Sequence, residues 1–79
     1  MDEIKKKVRE FLNKNKSMEG IKDQDDLFQQ GYVDSLFALQ LIMFLEKEFK
    51  IRIKNKEIKE DNFRSVEKIA ETVLRIMKK

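Results

Sequence analysis

The chain has 79 residues, with 18 Lys and Arg against 15 Asp and Glu for a net charge of +3, and it contains neither Cys nor His. Disulfides, thiolate and imidazole metal ligands, a catalytic thiol and a histidine general base are thereby excluded. A chain this short also buries a smaller share of its surface than a larger domain, which leaves little room for an enclosed active site.

Proline is absent and glycine occurs only twice, while Lys, Glu, Leu, Ile and Phe are plentiful. That balance favours helices joined by polar loops over a sheet, and it predicts a single all-α domain over residues 1–79. The start, Met1 to Lys7, lacks the apolar run of a secretory signal, and no stretch approaches the roughly 20 apolar residues needed to span a bilayer. A soluble, cytoplasmic protein is expected.

Ile4, Val8, Phe11 and Leu12 fall on one helical face, so a first helix is expected over about 2–15, opened by Asp2 and Glu3 at the positive end of its dipole. Residues 16–34 form a long connection, and loops of this length in a small domain need anchors, for which Leu27, Phe28 and Val33 are the candidates. A short helical turn near Gln24–Gln29 and a reversal at Gly31 are expected. Residues 35–49 read as the strongest helix. At 100° per residue, Ala38, Leu41, Ile42, Leu45 and Phe49 share a core face, Leu36, Leu39 and Met43 a second, and Phe37 and Phe44 a third. This is more apolar surface than a helix at the edge of a small bundle needs. The long loop is a candidate cover for Phe37 and Phe44, and Leu36, Leu39 and Met43 are expected to form an exposed partner-docking stripe. Further on, residues 51–54 suit a short strand that would lack a partner, 56–61 suit a short helix carrying Ile58, and 65–77 suit a last helix with Ser65 as N-cap. The resulting architecture is a small four-helix bundle, three longer helices and one short, with a long first loop.

The junction Gly31-Tyr32-Val33-Asp34-Ser35-Leu36 passes from loop directly into the most apolar helix. A serine there offers its hydroxyl where unpaired backbone N–H groups and the helix dipole favour an anion, so a phosphate ester at Ser35 would be well placed. Taken alone, an ordinary helix N-cap is the commoner explanation for Ser35 or Asp34 in this position. A serine hydrolase is set aside, because no histidine is present and the Gly-x-Ser-x-Gly elbow is missing.

The wider run Leu27-Phe28-Gln29-Gln30-Gly31-Tyr32-Val33-Asp34-Ser35-Leu36, followed by Leu41 to Phe49 and then Ile51 and Ile53, resembles the acyl carrier protein family. The resemblance covers nearly the whole chain. It implies that Ser35 accepts 4′-phosphopantetheine from coenzyme A, that Asp34 is the acid family members use in the metal-assisted transfer, and that Leu36, Leu39 and Met43 contact partner enzymes. It further implies a carrier that catalyses nothing, binds no metal of its own, works as a monomer, and visits a phosphopantetheinyl transferase, a loading enzyme and downstream biosynthetic enzymes.

Fatty-acid-synthase carriers are strongly acidic along the helix after the serine, whereas here Phe37 and Gln40 stand where acids are expected and Lys47 sits between Glu46 and Glu48. The segments 35–41 and 61–66 look most like freestanding carriers of polyketide and nonribosomal peptide pathways, including those that carry unusual extender units. A D-alanyl carrier for teichoic acid modification is the next reading, and a fatty-acid carrier is a further one. From other classes, a pI near 9.2 raises a nucleic-acid-binding bundle, but acids interrupt the basic residues of the first and last helices. A plain protein-interaction module would keep the apolar stripe and leave Ser35 unmodified.

Overall fold

Three amphipathic stretches become three α-helices in the computed structural model, which describes residues 2–78. They are α1 (Asp2–Asn15), α2 (Ser35–Phe49) and α3 (Val66–Met77), at or within one residue of the bounds that periodicity and capping residues predict. Asp2 and Glu3 occupy the first turn of α1, and Ser65 caps α3 by accepting the Lys68 N–H at 3.1 Å. α2 stops where Lys50 turns left-handed, with φ 53 and ψ 48. A non-glycine residue carries a steric cost in that conformation, which here helps release the chain from the helix direction.

The helices are held by their apolar faces. Ile4, Val8 and Leu12 of α1 meet Val66, Ile69, Ala70 and Val73 of α3, and Leu41, Ile42 and Leu45 of α2 complete the core. Each fully buried Val, Leu or Ile contributes about 1.5–3 kcal/mol relative to an exposed one. Ala38 and Phe49, expected on the same core face of α2, are only half-buried because they lie at its margin. Phe37 and Phe44 find their cover in α1. Phe11 stacks on both, with ring centroids 5.5 Å from Phe37 and 4.4 Å from Phe44, an arrangement that ties α2 to α1.

The long first loop is pinned rather than loose. Leu27 is fully buried; its amide donates to the Arg64 carbonyl at 2.7 Å, and its own carbonyl accepts the amides of Tyr32 and Val33 at 2.8 and 3.2 Å. Val33 is buried and Phe28 half-buried, as anchors should be, and Met18 and Ile21 are buried too. Arg9 of α1 reaches Asp23 at 2.6 Å and the Ile21 carbonyl at 2.9 Å, while the Glu67 amide at the head of α3 donates to the Asp23 carbonyl. The expected helical turn at 24–29 is a succession of hydrogen-bonded turns instead. Asp26 holds the Gln29 amide at 2.9 Å through its side chain, and a carboxylate that captures a nearby amide competes with helix formation. The reversal at Gly31 is present, with φ 79.

The second connection departs from the expected short fourth helix. Residues 55–57 and 60–63 form two separate 3-10 turns, and Ile58 between them is 41% exposed. Six residues with one isolated apolar side chain cannot offset the cost of nucleating an α-helix, and single tight turns form instead. No β-strand occurs among the described residues. Burial nevertheless alternates along 51–54, with Ile53 buried and Arg52 and Lys54 exposed, the two-residue period of an extended chain. Glu46 of α2 latches this stretch by accepting the Ile53 amide at 2.8 Å.

Candidate functional site

At the head of α2 two adjacent residues divide the work. Asp34, with extended backbone angles, is the N-cap and accepts the Phe37 N–H at 2.8 Å through Oδ1, and its carbonyl accepts the Ala38 N–H at 2.8 Å. Ser35 is the first helical residue; it is exposed, and neither its hydroxyl nor the amides of Ser35 and Leu36 have a partner among the described residues. The alternative in which Ser35 merely caps the helix therefore fails on geometry, since the cap is already supplied one residue earlier. What is left is a free hydroxyl beside two unpaired amides at the positive end of a 15-residue helix, an environment that favours an anion by about 0.3–1 kcal/mol at an exposed site.

The surroundings of Ser35 are built by the loop and the second connection. Leu27 and Val33 hold the strand of loop that delivers Asp34, and Arg64 ties that loop to the 60–63 turn by pairing with Asp26 at 2.9 Å and Asp61 at 2.8 Å. These acids raise the guanidinium pKa still further above its ordinary value, Asp61 foremost. Beside Ser35 opens a groove of about 320 Å³ walled by Phe28, Leu39, Ile42, Ile58 and Phe63, with Lys59 and Glu60 also bordering it. It is mostly apolar and open to solvent. Ile58 and its two charged neighbours were not evident as site residues from sequence; the available signal was an isolated isoleucine in an otherwise polar stretch.

Leu36, Leu39 and Met43 are 70%, 55% and 68% exposed. Their spacing of three and four residues sets them on one stripe of α2 running from beside Ser35 to mid-helix. The exposure expected of them is present, and the first turn of α2 carries no acid. Among the described residues no group of three or more acidic side chains is arranged to hold a metal ion. Nor is any helix long and apolar enough to cross a membrane.

A free serine at a helix head, a pinned first loop and an exposed apolar stripe match a known pattern. The family model described as "Phosphopantetheine attachment site" matches residues 2–73, and the chain belongs to that family of carrier proteins. It is accordingly a carrier rather than an enzyme, with covalent 4′-phosphopantetheine as its prosthetic group. It is similar to the D-alanyl carrier protein of Streptococcus sanguinis, with 36% identity over 73 residues that span 90% of this chain and 91% of the relative. It is also similar to that of Streptococcus gordonii, at 34% over the same shares, and to that of Streptococcus uberis, at 38% over 71% of this chain and 73% of the relative. All three relatives bear the name D-alanyl carrier protein, and none of them that of a polyketide or nonribosomal peptide carrier, the class that segments 35–41 and 61–66 suggest.

The residues present fit the prosthetic group. A phosphodiester needs an accessible hydroxyl and gains from nearby unpaired amides, and Ser35 and Leu36 offer both. When attached, the group supplies a terminal thiol on a flexible arm, to which an acyl or aminoacyl cargo is esterified.

Proposed function

We propose that this protein is a D-alanyl carrier, which holds D-alanine as a thioester on a phosphopantetheine arm at Ser35 and delivers it in the cytoplasm to the enzymes of teichoic acid modification. The observation that carries the cargo assignment is the likeness to D-alanyl carrier proteins along nine-tenths of both chains. The site supports it physically. A small, polar cargo requires no enclosed chamber, and the groove beside Ser35 is open rather than enclosing.

In this reading Ser35 is the attachment point, and Asp34 serves twice. Its Oδ1 fixes the helix start, while Oδ2, which has no hydrogen-bond partner among the described residues, is available to a magnesium ion held jointly with coenzyme A and the transferase. Leu36, Leu39 and Met43 form the apolar contact for the transferase and the loading ligase. With no acid in the first turn of α2, recognition there depends on shape and apolar burial more than on charge steering.

The test is sequential loading followed by intact-protein mass spectrometry. The chain is incubated with coenzyme A, magnesium and a broad-specificity phosphopantetheinyl transferase, then with ATP, D-alanine and a D-alanine-activating ligase. Addition of one arm and then one alanyl group, both lost in Ser35→Ala, is the expected result. Arm addition followed by loading with malonyl or another extender unit in preference to D-alanine would return the polyketide reading to first place.

A further inference from the structure

A second surface lies at the opposite end of α2, where the sequence suggests a strand without a partner. We propose that the groove between residues 50–56 and the C-terminal end of α3 holds an extended acidic segment of a partner protein that carries one apolar anchor side chain. The groove measures about 370 Å³. Its floor is apolar, made by Ile51, Ile76 and Met77, and Met77 is 47% exposed. Its rim carries Lys50, Arg52, Lys54 and Lys56, all of them exposed.

Three observations specify this occupant. First, none of the four rim cations has an ion-pair partner among the described residues. The one carboxylate in the groove, Glu57, is occupied by Arg75, whose Nη1 lies 2.7 Å from both of its oxygens, so the rim charge is left for a ligand to neutralise. Second, the two-residue alternation of 51–54 turns Ile51 and Ile53 toward the protein and leaves Arg52 and Lys54 outside. The Arg52 and Lys54 amides have no hydrogen-bond partner among the described residues, so an extended chain lying alongside can supply carbonyl acceptors as an added strand does. Third, the site is concave with an apolar floor. A flat bilayer or a nucleic-acid backbone would meet the cations and leave the floor unfilled, whereas a peptide with one apolar side chain among acids satisfies both.

The location gives the surface a use. At 1.5 Å per residue, the 15 residues of α2 place Lys50 about 22 Å from Ser35. An enzyme that grips the basic groove leaves the Ser35 end open, so one carrier can be held by one partner while a second works on its arm. This surface does not depend on which cargo Ser35 carries.

The probe is a short synthetic peptide of Glu and Asp residues around one central Leu, titrated into the isotopically labelled full-length chain and followed by amide chemical shifts. Shifts confined to residues 50–57 and 76–78, with little change at Leu36, Leu39 and Met43, are expected. Binding should weaken about tenfold in a double Arg52→Glu, Lys54→Glu variant, and also when the central Leu of the peptide is replaced by Gly. Arm addition at Ser35 in that variant should proceed at the unaltered rate, which also shows it to be folded; if it is not, Arg52→Gln with Lys54→Gln replaces it. Absence of shifts in the groove at millimolar peptide overturns the proposal. So does an equal response at the α1 lysines, or tighter occupation of the same residues by phosphatidylglycerol vesicles or duplex DNA than by the peptide.

Discussion

Asp34 accepts the backbone N–H of Phe37 at 2.8 Å, and the cap it forms leaves the neighbouring Ser35 hydroxyl without structural duty. Ser35→Ala should therefore change stability by less than about 0.5 kcal/mol, as expected for an exposed position away from any special contact, while abolishing arm addition. Thermal unfolding and intact mass measured on one sample check both halves. A Ser35→Ala chain that still gains phosphopantetheine would move the attachment site elsewhere.

Asp34 itself should respond differently to two substitutions. Asp34→Ala removes the cap and should cost about 1 kcal/mol. Asp34→Asn keeps a capping oxygen and so most of the stability, yet removes the charge available to magnesium. If Asp34 takes part in transfer, the rate of arm addition falls strongly in both variants and the melting temperature only in the first. Equal rates in the asparagine variant and the unaltered chain would reduce Asp34 to a cap.

Met43 is 68% exposed on the stripe that begins beside Ser35. Met43→Glu should leave the unfolding midpoint nearly unchanged, since a charge at an exposed position costs little. It should raise KM for the transferase and the ligase more than it lowers kcat, because it weakens docking and leaves the chemistry alone. A large loss of stability would instead place Met43 in the packing of α2.

How far these features were legible in the sequence depends on how each one is encoded. The three α-helices are written in periodic apolar positions reinforced by Asp34 and Ser65 caps, so their bounds could be read closely. The exposed stripe followed from an arithmetic excess of apolar residues on α2. Met18 and Ile21 are buried but sit alone among polar neighbours, where no period identifies them. Glu57 lies buried against Arg75, 18 positions away in the chain, a pairing that only tertiary structure creates. The division of labour between Asp34 and Ser35 was likewise undecided until backbone geometry fixed which residue caps. The cover over Phe37 and Phe44 comes from Phe11, whose place on the face of α1 could be read although its partners on α2 could not.

That aromatic cluster makes its own prediction. Phe11 is half-buried and stacks on both rings of α2, so Phe11→Ala should cost about 2 kcal/mol from lost burial and ring contact combined. Urea unfolding gives the value. A double-mutant cycle with Phe44→Ala should show coupling, because the 4.4 Å stack is lost by either change. Strict additivity would mean that the rings merely share a region.

Two carboxylates of the first loop contribute to the acid limb of stability. The hydrogen bond from Arg9, supported by Lys5, holds the Asp23 carboxyl below its ordinary value of 3.8; the Gln29 amide, and after it Arg64, does the same for Asp26. In each case the unfolded chain binds the proton more readily than the folded one. Their contribution is thus complete above the ordinary value and fades as pH falls below it through the lowered folded values. The melting temperature should be insensitive to these groups between about pH 5 and 7 and should fall below about pH 4. Asp23→Asn with Asp26→Asn should lower stability at neutral pH and flatten that drop. In the Asp26→Asn change the new amide oxygen can still accept the Gln29 N–H, so the greater share of the neutral-pH loss should trace to Asp23, which joins Arg9 and Lys5 of α1 to the loop. A drop that stays as steep in the double variant would assign the acid limb to other carboxylates.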